Sequence, residues 1–248
     1  MNIEWRIEWL DEIDSTQKEL ERRIKHAHAK SCAQSQPKSQ IQPHTKAQFI
    51  ANPQNLEAQN ICLVANKQTN GIGSRHNNWE SPEDALMFSF IYGAIPKDIP
   101  IQSLAIFFGY ILKQTLNALG SKVWLKYPND LYIENQKIGG IMVSIVKQTI
   151  ICGIGLNLKD KKFKSLDICI DKKEFLEKYF QDLQNAPNWK QIFRNYKLEF
   201  YKNFSFSFHN HHHGSKESEI ISLKDAILLD DGSIEVNGRI IYNLRLME

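Results

Sequence analysis

The sequence predicts an α+β fold, a mixed and mainly antiparallel sheet flanked by helices, and three observations lead there. First, four apolar segments separated only by short turns follow one another between Val123 and Leu158, the pattern of an antiparallel meander. Second, Ile99–Gly120 carries Leu104, Phe108, Ile111, Leu112 and Leu119 at helical spacing, with Gly120 where a helix stop is expected. Third, helices and strands do not alternate regularly, which argues against a doubly wound parallel sheet.

The elements follow in order. Trp5–Leu10 alternates as a strand, with Ile7 and Trp9 on one side and Arg6 and Glu8 on the other. A helix starts near Ser15 or Thr16, where Thr16 and Glu19 have capping-box spacing, and continues through Leu20 and Ile24. Residues 25–60 then change character: SCAQSQPKSQIQPHTKAQ is rich in Gln, Ser, Pro and Lys and nearly empty of large apolar residues. Such a composition buries too little surface to offset its ordering entropy, so a mobile low-complexity insertion within one domain is expected. Strands resume at Ile61–Asn66 and Ala85–Tyr92, separated by the polar loop KQTNGIGSRHNNWESPED. Two amphipathic helices are expected after Asp171 and after Pro187. The tail from Ala226 reads as short strands joined by DDGS and NGR turns. The expected division is 1–215 for the main domain and 216–248 for a short C-terminal β segment.

Bulk properties exclude several classes. Of the 248 residues 42% are hydrophobic and 24% charged, enough apolar material for a sizeable core. A net charge of +3, spread along the chain, gives no argument for nucleic acid or a membrane surface. MNIEWRIEWLDEID lacks the basic start and apolar run of a signal peptide, and no apolar run approaches the roughly 20 residues a membrane helix needs. A cytoplasmic protein is expected. Cys32, Cys62, Cys152 and Cys169 form no CxxC pair or zinc-like spacing, and Cys62 and Cys152 read as buried, reduced thiols. HNHHHG at His209–Gly214 lacks a spaced partner and reads as a solvated loop. No metal ligands are expected.

Three polar segments interrupt the apolar strands. Gly71 and Gly73 let backbone approach an anion, with Arg75 as a cation, although a long flexible turn has the same pattern. Trp79 at the end of that loop either stacks on a purine or anchors the loop. In the meander, Lys126, Asn129, Asp130, Lys137, Gly139 and Gly140 crowd two cations, a carboxylate, an amide and a Gly-Gly into 15 residues. A lysine pair suits a phosphate and a carboxylate that must react, while a solvated hairpin with snorkelling lysines fits the spacing equally well. CGIGLN, Cys152–Asn157, is either a glycine-relieved strand end or a place where backbone meets a nucleotide.

Taken in order, Ser15-Thr16 at a helix start, the glycine loop ending in Trp79, KYPNDLYI, KIGGI and GIGLN together resemble the biotin–protein ligases of the monofunctional type. The resemblance covers most of the chain except the insertion and about 161–219. It implies a class II aminoacyl-tRNA synthetase/biotin ligase-like fold with a reduced SH3-like C-terminal segment. It implies an ATP-dependent biotin–[acetyl-CoA-carboxylase] ligase that forms biotinyl-5'-AMP and transfers biotin to a carrier-protein lysine. Ser15, Thr16 and Gln68 would bind the biotin head group, with Gly71, Gly73 and Arg75 from the loop and Gly139 and Gly140 as walls. Lys137 would hold the biotin carboxylate and the α-phosphate, assisted by Lys126 and Asp130. Trp79, Asn129, Gly153, Gly155, Asn157 and Arg245 would form the adenosine and phosphate site. ATP, Mg²⁺ and biotin are the implied small molecules, and the biotin carboxyl carrier protein of a carboxylase is the implied partner of a monomer or homodimer. Too few residues precede Ser15 for a DNA-binding domain, so a biotin-responsive repressor is not expected. A lipoate–protein ligase or octanoyltransferase and a non-catalytic biotin-binding module are the alternatives. One departure is visible: the family's loop usually reads GRGRxGRxW, whereas Ile72, Ser74 and Asn77 stand here in place of arginines.

Overall fold

The computed structural model describes residues 4–34, 60–73, 79, 82–94, 96–211 and 218–242. Strands β1 (Arg6–Ile13), β2 (Ile61–Gln68), β3 (Asp84–Ala94), β4 (Trp124–Lys126), β5 (Asp130–Ile133), β6 (Gln136–Val146) and β7 (Thr149–Lys159) form one sheet in the order β1-β2-β3-β7-β6-β5-β4. Only β1 and β2 run parallel; the other neighbours are antiparallel. The predicted mainly antiparallel α+β architecture is what folds.

The sheet is covered on both faces, and its central strands show it. In β2, Cys62 and Val64 face one apolar cluster while Ile61 and Leu63 face another, the period-two alternation of a strand buried on both sides. The smaller cluster lies under α1 (Thr16–Gln34), which contributes Leu20 and Ile24. The larger one takes in α2 (Leu104–Ala118), α3 (Lys172–Gln184) and α4 (Trp189–Leu198). Phe88, Phe90, Phe108, Tyr179 and Phe180 meet there edge to face, and Trp5 stacks on Phe180 at 4.0 Å. Cys62 and Cys152 are free and fully buried, and burial pushes both thiols well above their ordinary range.

Helix starts follow local chemistry. The Asp171 carboxylate accepts from the backbone N–H groups of Lys173 and Glu174, and the Asn188 side chain accepts from Gln191 N–H. At α1 the expected Thr16–Glu19 box is replaced. Ser15 Oγ accepts from Lys18 N–H at 3.4 Å, while Glu19 pairs with Arg22 and Arg23. Thr16 is drawn inward instead, and that matters for the site.

Two expectations change. Residues 25–34 of the expected insertion belong to α1, in which the helix formers Ala27, Ala29 and Lys30 continue the helix past Ile24. Residues 35–59 lie outside the described ones. His209–His211 are also strand and not loop: β8 (Ser207–His211) pairs antiparallel with β9 (Ser218–Ser222), His209 opposite Ile220. His212 and His213 lie outside the described residues. β10 (Ile227–Leu228), β11 (Ile234–Val236) and β12 (Arg239–Ile241) form the predicted C-terminal turns and strands. The expected division at 215/216 falls between paired β8 and β9, and Phe208, Ile221, Leu228 and Ile234 share the larger core with the sheet. No helix among the described residues is long and apolar enough to cross a membrane.

Candidate active site

Over the middle of β3, β6 and β7, a cleft opens between the start of α1, the end of β2, the glycine loop and the β5–β6 hairpin. Polar groups cluster at one end. Thr16 donates to Gln68 Oε1 from both its backbone N–H (2.9 Å) and its hydroxyl (3.2 Å), and Thr16 Oγ1 lies 2.8 Å from Ser89 Oγ. Ser15, Thr16, Gln17 and Ser89 are all buried, so this hydrogen-bonding group is shielded from water.

The other end carries charge. Lys137 Nζ lies 2.6 Å from Asp130 Oδ1, and Lys126 Nζ lies 4.0 Å from Asp130 Oδ2. The lysines differ sharply in setting. The Lys137 side chain is 43% exposed, whereas that of Lys126 is 7% exposed and its ammonium sits over the rings of Tyr132 and Phe206. Burial, with the neighbouring Asp130 carboxylate, pushes the Tyr132 hydroxyl up to about 12. The turn that sets this geometry opens with a cis Tyr127–Pro128 bond. It is tied to β6 by Asn129 Nδ2 donating to the Ile141 carbonyl at 2.6 Å and by Ile141 N–H donating back to the Asn129 carbonyl at 2.8 Å.

Glycines make room between the two ends. A Cβ on Gly155 would come within 2.6 Å of the Trp79 ring, so the indole lies flat against β7 as one wall. Trp79 N–H donates to the Gly71 carbonyl, so the residue also closes the loop. Its indole Nε1 is buried with no partner among the described residues.

The sequence-predicted residues sort into three groups. Ser15, Thr16, Gln68, Gly73, Trp79, Asn129, Asp130, Lys137, Gly140, Gly153 and Gly155 line the cleft together. Gly71, Lys126, Gly139 and Asn157 support it from behind. A Cβ on Gly139 would meet the Gly155 carbonyl at 2.5 Å, and Asn157 Nδ2 donates to the Lys164 carbonyl at 3.1 Å. Arg75 and Arg245 lie outside the described residues. Sequence reasoning missed Gln17 and Ser89, polar residues whose burial no local pattern announces. Ile72 lines the cleft where the family pattern has arginine. No group of three His, Cys, Asp or Glu that could hold a metal occurs among the described residues.

This fold and cleft define an α+β enzyme-like domain with a shielded polar end and a cationic end facing one cavity. Residues 36–157 match the model of the biotin/lipoate A/B protein ligase family. The structure is similar to the biotin acetyl coenzyme A carboxylase synthetase from Helicobacter pylori with bound biotinylated ATP, at 36% identity and a TM-score of 0.79, covering 96% of this chain and 99% of that one. The chain belongs to the biotin/lipoate A/B protein ligase family. The bifunctional ligase/repressor BirA of Escherichia coli (strain K12) is 30% identical over 110 residues, which is 42% of this chain and 34% of that protein. The chain thus aligns with about a third of that relative's length. The biotin protein ligase from Aquifex aeolicus in complex with biotin and ATP shares the fold at 20% identity and a TM-score of 0.64, covering 96% of this chain and 94% of that one.

Proposed function

We propose that this chain is an ATP-dependent biotin–protein ligase. A biotin carboxylate oxygen attacks the α-phosphorus of ATP, the bond to pyrophosphate breaks, and biotinyl-AMP forms. The amine of a lysine on a biotin carboxyl carrier domain then attacks the acyl carbon, and AMP leaves. The carrier of an acetyl-CoA carboxylase is the acceptor this reading favours, in the cytoplasm.

The observation that carries the reading is the pairing of Lys137 with Asp130 at the open end of a cleft whose closed end is a hydrogen-bonding group. Both reacting partners of the first step are anions. Lys137, held by Asp130, is placed to neutralise them as they approach, and no nucleophilic side chain is needed. Thr16, Gln68 and Ser89 would receive the urea end of biotin, while Trp79, Gly153 and Gly155 form a flat wall suited to adenine. Asn129, Asn157, Gly71, Gly139, Gly140, Arg75 and Arg245 complete the proposed set, and Lys126 acts from beneath the hairpin. Mg²⁺ enters with ATP as part of the substrate. Residues 1–215 would be the catalytic unit, with 216–248 packed on it as a C-terminal β segment.

A polar closed end suits a urea better than the dithiolane or alkyl chain of the lipoate and octanoyl alternatives. Transfer of radiolabelled biotin onto a carrier domain, with and without ATP, tests the proposal. ATP-dependent labelling is expected, and labelling of the carrier with lipoate but not biotin overturns it.

A further inference from the structure

Three aromatic rings gather around the buried lysine at the end of β4. Trp124 and Lys126 share one face of that strand, and the antiparallel register sets them opposite Tyr132 and Asp130. Phe206, from the connection between α4 and β8, closes the group. Its ring centroid lies 5.5 Å from that of Trp124 and 5.4 Å from that of Tyr132, and those two are 5.6 Å apart. The Lys126 ammonium stands 5.5 Å from the Tyr132 centroid and 5.7 Å from that of Phe206. Asp130 is nearer the other lysine, 2.6 Å from Lys137 against 4.0 Å from Lys126.

Phe206 is fixed from both sides. Its N–H donates to the Asn203 carbonyl and its carbonyl accepts from Leu223 N–H, each at 2.9 Å. Asn203 is fully buried; its Oδ1 accepts from Tyr127 N–H at 2.8 Å and its Nδ2 donates to the Phe200 carbonyl at 3.0 Å. One short segment thus grips the backbone next to Lys126 and also supplies a ring under its ammonium. The face of a ring attracts a cation through its quadrupole but carries no net charge. A carboxylate in that place would hold the ammonium and cancel it. Burial and the Asp130 carboxylate push the Tyr132 hydroxyl up to about 12, so that ring too stays neutral near pH 7.

We propose that Phe206 is a positioning residue. With Tyr132 it holds the Lys126 ammonium as an uncancelled charge behind Asp130, where it adds to the field that draws the two anions of the adenylation step together. The proposal rests on reading the cleft as the site of biotin adenylation. Phe206 touches no substrate in this account and acts only through Lys126.

The test replaces Phe206 with phenylalanines carrying one, two and three ring fluorines, which drain charge from the ring face and nearly keep its size. Biotin-dependent pyrophosphate exchange and the melting temperature are measured for each. The value of kcat should fall stepwise, by about tenfold at three fluorines, and KM for biotin should stay within about twofold. The melting temperature should stay within about 2 °C. Phe206→Leu should match the trifluorinated protein within about threefold in kcat. A flat kcat across the series overturns the proposal. So do parallel changes in kcat, KM and melting temperature, which a merely structural ring would give. A second measurement needs no fluorinated protein: the ε-methylene of carbon-13-labelled lysine in wild type, assigned to Lys126 by its loss in Lys126→Arg, should be shifted upfield by the ring currents. An unshifted signal also overturns the proposal. Absence of exchange in wild type overturns the adenylation reading itself, and this inference with it; exchange that ignores fluorination overturns this inference alone.

Discussion

Lys137 and Lys126 look equivalent in the sequence and are not equivalent in the fold. Both flank Asp130, yet one ammonium stands at the cleft and the other lies beneath the hairpin among aromatic rings. Spacing alone could not separate them, because burial at the end of β4 depends on Phe206, far along the chain. Lys137→Ala is expected to lower biotin-dependent pyrophosphate exchange about 100–1000-fold, the scale of losing one charge-stabilising donor. The same change should leave the melting temperature within about 2 °C, since Lys137 itself is 43% exposed and Lys126 remains beside Asp130. A fall in both, measured side by side, would make the residue structural. Gln17 was missed for a similar reason: nothing local shows that a glutamine in a helix's first turn is buried against β6.

At the scale of elements, α1 and the β6–β7 pair set the geometry of the site. The helix is held at its start by Arg22, which meets the Asp14 carboxylate through two hydrogen bonds of 2.8 Å. That guanidinium lowers the Asp14 carboxyl to about 2. A group whose folded value is depressed contributes stability above its unfolded value near 3.8, and the contribution is lost as pH falls toward 2. Both side chains are more than a third exposed, so solvent screening limits the effect to below about 1 kcal/mol. Arg22→Ala should therefore be slightly less stable than wild type in urea at pH 7, and the difference should vanish near pH 2. A difference that persisted in acid would assign it to something other than this pair. Gly155→Ala would push a methyl into the Trp79 ring. It should weaken ATP binding about tenfold or more while changing biotin binding by less than about threefold, read by calorimetry with each ligand alone. Equal losses would show that the indole wall is not a nucleotide surface. The strands behind these effects were legible because β2, β3, β6 and β7 are apolar runs bounded by clear turns. The last turns of α1 were not, since KHAHAKSCAQ has the polarity of a loop, which masks the helix propensity of its three alanines, two lysines and glutamine. The β8–β9 ribbon was hidden by its histidines.

Across the whole molecule, one core joins the sheet, three helices and the C-terminal strands, so the cleft stands on a continuous scaffold and not at a joint. The sheet's overall plan and most of the cleft were readable from Ser15 to Asn157. The pairing of β1 parallel to β2 was not, because register between strands so far apart in the chain depends on contacts no local pattern encodes. Between Gly71 and Trp79 the chain carries Arg75 as its single arginine, and the proposed function requires that adenylation proceed with that one. Biotin-dependent exchange of labelled pyrophosphate into ATP, with the wild-type chain and no acceptor protein present, tests that claim most directly. Exchange that requires biotin, stops on chelation of Mg²⁺ and is unaffected by lipoate added as a competitor is the predicted result. No exchange with biotin, or exchange equally supported by lipoate, would contradict it.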